Sequence, residues 1–167
     1  MNDIDRLIAI ESIRNIKATY WYAIDVKDWD LLATVFDRES TVDFRRDRDF
    51  KPGQPANQYP PVEQALAEGD NAVAKGDKIA TWIRDVAMPL RTVHHGHAPI
   101  IEIDGPDRAR AIWPMFDYVD SGSAVIKGYG HYHETYGKAA DGRWVIRTLV
   151  LTRLRIDGNH PASYAQS

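Results

Sequence analysis

The second half of the sequence constrains the fold most, because it predicts four long strands in succession. Apolar and polar residues alternate along 91–103, 109–119, 124–136 and 144–156, as they do in half-buried strands. The links between these segments are DGPD, DSGS and AADG, which are rich in residues that favour tight turns. Consecutive strands joined by tight turns predict an antiparallel meander.

The first half of the chain has the periodicity of helices instead. Apolar residues recur there at steps of three and four: Ile13, Ile16, Tyr20 and Ile24. This spacing predicts a helix over 4–25 with one apolar face. KDWDLLATVF and 62–88 predict further helices, and STVDF predicts a strand. Helices first and strands last predict an α+β fold, in which the N-terminal helices pack on a curved, mainly antiparallel sheet.

The length and charge of the chain bound its organisation and its partners. The sequence has 167 residues, which predicts a single domain over 1–167. The formal net charge is −3, too small and too mixed to indicate a nucleic-acid or membrane surface. There are no cysteines, so disulfides and thiolate chemistry are excluded. Without a signal-peptide pattern or a run of about 20 apolar residues, the expected location is the cytoplasm.

One segment, 45–61, departs from both patterns. It is basic and proline-rich and has no periodicity. Loops of this length within a compact domain are often functional lids. We therefore expect 45–61 to be a long surface loop and a candidate lid.

The histidines are concentrated on two of the predicted strands. They are His94, His95 and His97 on one strand and His131 and His133 on another. Because side chains alternate between the faces of a strand, His94 faces opposite to His95 and His97. HHGH and HYHE also offer metal ligands, so a metal site is one alternative, although the spacing to Glu134 does not match that of metal-binding barrels. A second alternative is that His94 has a purely structural role.

Asp25 is the acidic residue of most interest, because it follows Ile24 at the end of the first predicted helix. A carboxylate at the inner end of an apolar face that packs on a sheet must be paired or must serve a site. Aspartate is also a favoured helix cap, so capping of the next helix, KDWD, is the alternative. The residues alone leave both interpretations open.

Three segments of the chain together resemble a known family. They are TYWYAIDVKDWDLL, PLRTVHHGHAPIIEIDG and DGRWVIRTLVLTRLRI. In this order and at these separations they are similar to the SnoaL-like branch of the nuclear transport factor 2-like superfamily. The resemblance covers about 5–156 and implies a cone-shaped α+β barrel. Within the branch, the chain resembles dehydratases such as bile acid 7-alpha-dehydratase and scytalone dehydratase.

The resemblance to these dehydratases implies a set of site residues. The enzymes share a helix-end aspartate and a strand histidine that together remove a proton, and the matching residues are Asp25 and His94. A tyrosine and a late-strand arginine of the bile acid enzyme fall on Tyr20 and Arg153. Arg153 would hold a substrate anion or steady the leaving group, unless it is a surface cation. The residues expected to bind substrate are Tyr22, Phe44, Trp113, Tyr132 and Val119.

The resemblance implies a lyase that uses neither cofactor nor metal. The predicted reaction is loss of water from a small cyclic hydroxy-carbonyl compound, of polyketide, steroid or aromatic type, after proton abstraction by a His–Asp dyad. The expected partners are this hydrophobic small molecule and further copies of the chain, with a trimer favoured and a dimer as the alternative. A ketosteroid-isomerase-like isomerase, a polyketide cyclase and a non-catalytic small-molecule binding module are the alternative functions on the same scaffold.

Overall fold

A computed structural model describes residues 1–49 and 59–159, without the side chains of Arg48 and Asp49. The helices are α1 (Asp3–Val26), α2 (Trp29–Ala33), α3 (Arg46–Asp49), α4 (Val62–Ala67) and α5 (Lys78–Ala87). The strands are β1 (Thr41–Asp43), β2 (Val73–Lys75), β3 (Arg91–Gly96), β4 (Ile100–Ile103), β5 (Arg108–Asp120), β6 (Val125–Lys138) and β7 (Trp144–Gly158). Most of the candidate lid, at 50–58, lies outside the described residues, as does the end of the C-terminal tail at 160–167.

The strands form one curved, unclosed sheet that the helices cover. Its order is β2-β1-β7-β6-β5-β3, and β4 also pairs with β5. β5, β6 and β7 pair consecutively and antiparallel as the predicted meander. β1 lies between β2 and β7 and runs parallel to β7, so the sheet is mixed but mainly antiparallel. The predicted α+β fold is confirmed.

Three details of the secondary structure differ from the prediction. The single strand expected over 91–103 is two strands, β3 and β4, which both pair with β5. Pro99 lies between them and has no N–H to donate, so the pairing is interrupted there. β2 lies within 62–88, where helix is expected, and α3 lies within the expected loop. Elements of three or four residues are too short to show a period, which is why the sequence does not predict them.

The first helix, α1, packs its buried face against the inner face of the sheet. Its N-cap is Asn2, whose side chain accepts a hydrogen bond from the Asp5 N–H at 2.8 Å. The residues of its buried face are Ala9, Ile13, Lys17, Tyr20, Trp21, Ala23 and Ile24. A Cβ at Gly96 on β3 would overlap the Trp21 ring, so glycine there lets α1 lie close to the sheet. None of the helices described has the length and hydropathy of a membrane span.

Candidate active site

The candidate site begins at the end of α1, where Asp25 occupies the last turn. Lys27 follows in the left-handed conformation, with a φ of 65°, and donates its N–H to carbonyls of that turn. The next helix, α2, is capped by Asp28, whose carboxylate accepts from the Leu31 N–H at 2.9 Å. The interpretation of Asp25 as the cap of α2 is therefore wrong.

Asp25 and His94 are in direct contact through two hydrogen bonds, and we call this pair the dyad. The His94 Nδ1 lies 2.7 Å from Asp25 Oδ1, and the His94 backbone N–H donates to Asp25 Oδ2 at 2.8 Å. The Thr92 hydroxyl donates to Asp25 Oδ1 at 2.8 Å. Thr92 and His94 are two residues apart and share the inner face of β3. One short strand thus fixes both oxygens of the carboxylate.

The surroundings of Asp25 favour its ionised form. Burial by itself would raise the pKa of this carboxyl, but hydrogen bonds from the His94 ring and backbone and from Thr92 outweigh burial and hold the pKa below its usual value. These donors also offset the unfavourable position of a carboxylate near a helix C-terminus. Lys27 supports the arrangement indirectly, because its Nζ donates to the Thr92 hydroxyl at 3.3 Å. Asp25 is therefore an acceptor for the ring of His94.

The contact with Asp25 determines which ring nitrogen of His94 is available. An ionised carboxylate only accepts hydrogen bonds, so the geometry fits a proton on Nδ1. Nε2 is then the nitrogen that can accept a proton. The His94 side chain is 9% exposed and that of Asp25 is 23% exposed, so water has little access to the ring. A shielded histidine oriented by a carboxylate is the arrangement of a general base.

A second charged group lies beside the dyad and centres on Arg153. Asp117 on β5 is the cross-strand neighbour of His94, and its two carboxylate oxygens each accept from Arg153 at 2.6 Å. Arg153 Nε also donates to Asp47. Arg153 is 6% exposed and Asp117 is 2% exposed. The interpretation of Arg153 as a surface cation is therefore wrong.

The two carboxylates around Arg153 offset its charge and hold its guanidinium in place. Gly128 on β6 lies opposite Asp117 in the register, and a Cβ there would overlap the Arg153 guanidinium. The sheet thus leaves space at this one position for a long, buried side chain. The geometry fits Arg153 as the support of Asp117 next to His94.

Tyr20 is buried on α1, five residues before Asp25. Its ring meets the rings of Phe36 and Tyr132 edge to face, with centroids 6.1 and 6.0 Å apart. Burial, and to a smaller extent the charges of Glu134 and Asp117, raise the pKa of Tyr20 far above its usual value. The hydroxyl therefore keeps its proton and can act as a donor. Within the described residues, the structure does not join Tyr20 to the dyad by a hydrogen bond.

The residues expected to bind substrate lie in different surroundings. Trp113 and Tyr132 are buried in the core on the inner face of the sheet. The Phe44 ring packs against that of Trp82, with centroids 5.2 Å apart. Val119 is half-buried on β5, opposite Thr92. Three of these side chains lie on strands of the sheet, and Phe44 follows β1 directly.

Tyr22, which is also expected to bind substrate, is the exception, because it does not face the interior. The side chain is 60% exposed. Tyr22 and Trp21 precede Asp25 by three and four residues, so both are helical neighbours of the carboxylate. Trp21 takes the buried position, at 9% exposure.

The remaining histidines on the strands do not approach the dyad. His95 on β3 and His97, which follows β3, are both exposed, as the alternation expected over 91–103 predicts. His131 and His133 lie on β6 with their ring centroids 6.2 Å apart. Within 1–49 and 59–159, no group of three or more histidine and acidic residues is placed to hold a metal ion.

A separate groove lies on the outer face of the sheet. Its volume is about 390 Å³, and its lining includes Ile100, Ile112, His133 and Val150. The side chains of the dyad are not part of it. The outer groove and the candidate site are therefore different places on the molecule.

Comparison with known proteins identifies the family. The sequence profile of a family described as a SnoaL-like domain matches residues 5–150. The chain belongs to the SnoaL-like family. Its place in the SnoaL-like branch of the nuclear transport factor 2-like superfamily, inferred from the three sequence segments, is confirmed. A comparison with curated protein sequences finds no match.

Several solved structures are similar to this SnoaL-like chain. A candidate scytalone dehydratase from Novosphingobium aromaticivorans is 17% identical, with a TM-score of 0.72 over 95% of this chain and 93% of that chain. A LinA-type hexachlorocyclohexane dehydrochlorinase from Novosphingobium barchaimii is 17% identical, with a TM-score of 0.71 over 96% of each chain. A protein of unknown function from Mycobacterium tuberculosis is 20% identical, with a TM-score of 0.68 over 93% of this chain and 78% of that chain. These likenesses show the shared fold.

The interior of this SnoaL-like chain holds charged residues that sequence reasoning did not single out. Asp117 follows Trp113 and Met115 at alternate positions of β5, and all three are buried. A carboxylate at an inward position of an apolar strand face is a signal that could have found it. Lys17 gives the same signal on α1, because it lies on the apolar face between Ile13 and Tyr20 and is fully buried.

Proposed function

We propose that this chain is a lyase that removes water from a small, hydrophobic hydroxy-carbonyl compound of cyclic type. The observation that carries the proposal is the contact of Asp25 with His94 Nδ1 at 2.7 Å, which leaves Nε2 as the basic nitrogen. Membership of the SnoaL-like family supports it. So does the likeness to structures described as a candidate scytalone dehydratase and a dehydrochlorinase, since both names denote eliminations.

The proposed reaction begins with proton transfer to His94. Nε2 takes the proton from the carbon next to the substrate carbonyl, and the electron pair of the broken C–H bond moves towards the carbonyl oxygen. Asp25 stabilises the imidazolium that forms, because its carboxylate already accepts from Nδ1. The C–O bond of the hydroxyl on the next carbon then breaks, and a double bond forms between that carbon and the deprotonated one. His94 returns the proton to the leaving hydroxyl, so the products are the unsaturated carbonyl compound and one water.

Tyr20 is the proposed donor to the oxygen that gains negative charge. A preorganised donor in a shielded site stabilises such a charge more than water does. The burial that raises the pKa of Tyr20 keeps its hydroxyl protonated throughout. Arg153 acts in this proposal by holding Asp117 beside His94, and the apolar side chains of Phe44, Trp113, Tyr132 and Val119 face the substrate ring.

The test replaces the two members of the dyad separately, as Asp25→Asn and His94→Ala. Each variant is assayed with a panel of hydroxy-ketones and hydroxy-steroids. We expect kcat/KM to fall by about 10²- to 10⁴-fold, the usual contribution of a general base. His95→Ala is the matched control, because His95 is exposed next to His94 on the opposite face of β3, and it should keep wild-type activity. Wild-type turnover by both dyad variants would overturn the proposal.

Product mass separates dehydration from the other reactions that the same dyad could start. Loss of one water identifies a dehydratase, whereas unchanged mass identifies an isomerase or a cyclase. Saturable binding of the same compounds without turnover identifies a binding module.

The expected assembly and location stay predictions. A homo-oligomer, with a trimer favoured over a dimer, is tested by sedimentation of the purified protein. A cytoplasmic location is tested by fractionation of the source cells.

A further inference from the structure

The buried pair Lys17–Glu134 is a charged feature of the interior that the proposed reaction does not use. Lys17 lies on α1 and Glu134 on β6, and both side chains have an exposure of 0%. The Lys17 Nζ lies 2.5 Å from Glu134 Oε1. Removing two charges from water carries a large desolvation cost, which their mutual attraction often does not offset. A pair kept in this place therefore calls for a role other than stability.

The carboxylate of Glu134 is fixed from both sides. Lys17 occupies one oxygen, and the Tyr136 hydroxyl donates to the other. Trp113 Nε1 donates in turn to the Tyr136 hydroxyl at 3.0 Å. All the side chains in this series of hydrogen bonds are buried, so the ammonium group of Lys17 is held in one position.

The fixed ammonium group lies against the rings of two tyrosines. Lys17 Nζ is 3.5 Å from the centroid of the Tyr132 ring and 4.2 Å from that of the Tyr20 ring. A cation is attracted to the face of an aromatic ring, and more strongly where water is excluded. The two rings meet each other edge to face. One ammonium group thus contacts both rings of the pair that contains the proposed donor.

We propose that Lys17, anchored by Glu134, is a positioning residue that fixes the Tyr20 and Tyr132 rings and so aims the Tyr20 hydroxyl at the substrate oxygen. This role rests on the proposed function in one respect, which is that Tyr20 donates a hydrogen bond to the substrate oxygen. Lys17 does not touch substrate and acts through Tyr20. The Lys17–Glu134 pair and the dyad then serve the same site from one face of α1. The ion pair orients the Tyr20 hydroxyl, and the dyad transfers the proton.

The test removes both charges together, as Lys17→Met/Glu134→Gln. A single change would leave the other charge buried without a partner, whereas the double change leaves none, and glutamine still offers an acceptor to the Tyr136 hydroxyl. The matched control is Lys75→Met/Glu63→Gln, which removes an exposed lysine–glutamate pair 2.8 Å apart. If the interior double variant does not fold, Glu134→Asp, which keeps both charges but draws the anchoring carboxylate back by one methylene, is measured in the same way.

We expect kcat to fall by about ten-fold or more and KM to change by less than about two-fold, because a donor aimed at the transition state affects kcat first. The shape of the pH profile should be kept, since the dyad is untouched. In a Tyr20→Phe background the same double change should cause no further loss, because the positioned hydroxyl is already gone. Wild-type kcat in the double variant, or an equal loss with and without the Tyr20 hydroxyl, would overturn the proposal.

Crystal structures of the wild type and the double variant make the test independent of substrate. We expect the Tyr20 ring to be displaced or to adopt two conformations in the double variant. A Tyr20 ring that stays in its wild-type position contradicts the positioning role, whatever the enzyme turns over. Absence of turnover by the wild type with an altered Tyr20 ring in the variant would instead contradict the proposed function alone.

Discussion

The buried face of α1 carries two charged pairs, and they are built differently. The dyad lies at the end of the helix, with side-chain exposures of 23% for Asp25 and 9% for His94. The Lys17–Glu134 pair lies about 12 Å earlier along the same helix, with no exposed side-chain area. Asp25 accepts from a hydroxyl, a backbone N–H and a ring, and His94 keeps a second nitrogen for another partner. Within the described part of the chain, Lys17 and Glu134 make their contacts in the core.

The difference between the two pairs separates two tasks of charged groups inside a protein. Asp25 holds one ring nitrogen of His94 and leaves the other free to accept a proton, so the dyad is suited to moving a proton. A buried lysine–glutamate pair whose carboxylate accepts a hydrogen bond on each oxygen is suited to keeping its neighbours in place. Four experiments test this distinction.

The largest effect is expected from breaking each pair by one substitution. Lys17→Met leaves the Glu134 carboxylate buried without its cation, and we expect a loss of about 3–5 kcal/mol in the free energy of unfolding. Asp25→Asn leaves a neutral, half-buried dyad, and we expect a loss of about 1–2 kcal/mol. Urea unfolding of both variants measures the difference. Equal losses in the free energy of unfolding would contradict the claim that deeper burial makes the Lys17–Glu134 pair more costly to break than the dyad.

The next effect is a rise in stability with pH that comes from Lys17. Burial, opposed by the charge of Glu134, lowers the pKa of Lys17 to about 8, whereas an unfolded lysine titrates near 10.4. Between these values the unfolded chain binds more protons, so stability rises with pH. From about pH 8 to pH 9.5, the wild type should gain roughly 1–2 kcal/mol relative to Lys17→Met/Glu134→Gln. The free energy of unfolding in urea is measured against pH for both proteins. Parallel curves would contradict the lowered pKa of Lys17.

A smaller effect is expected at Thr92, which is, among the described residues, the one side chain besides His94 that donates to Asp25. Thr92→Val removes this hydrogen bond with little change of volume. We expect a loss of about 1 kcal/mol in stability and about a ten-fold lower kcat, because the carboxylate loses one of its three donors. The control Thr81→Val alters an exposed threonine on α5 and should leave both quantities unchanged.

The smallest effect concerns acid stability at Asp25. Because its folded pKa lies below the usual value, Asp25 adds stability above about pH 4, the ordinary pKa of an aspartate. That contribution is lost as the pH falls through the lower folded pKa. The stability difference between the wild type and Asp25→Asn should therefore shrink from about pH 5 to pH 2. A difference that stays constant over this range in acid titration of the two proteins would contradict the ionised state of Asp25.

The sequence by itself determined the features that depend on local periodicity. Steps of three and four predicted α1, and alternation predicted the meander of β5, β6 and β7. Alternation also predicted that His94 and His95 face opposite ways, which their different exposures confirm. The resemblance of three segments to one family named Asp25 and His94 as partners. Local spacing could not do this, because no period connects positions so far apart in the chain.

Only the tertiary structure decided how distant parts of the chain meet. β1 pairs in parallel with β7, and Asp117 reaches Arg153, although neither contact has a signature in the sequence around it. The choice between Trp21 and Tyr22 as the buried neighbour of Asp25 depends on the rotation of α1 against the sheet, which Gly96 permits by its lack of a side chain. Lys17 and Glu134 are ordinary surface residues by type, and only the closure of α1 over β6 places them together in the core. Asp117 and Lys17 each leave a signal in the sequence, a charged residue on an apolar face, but the partners that each one binds become visible only in the assembled fold.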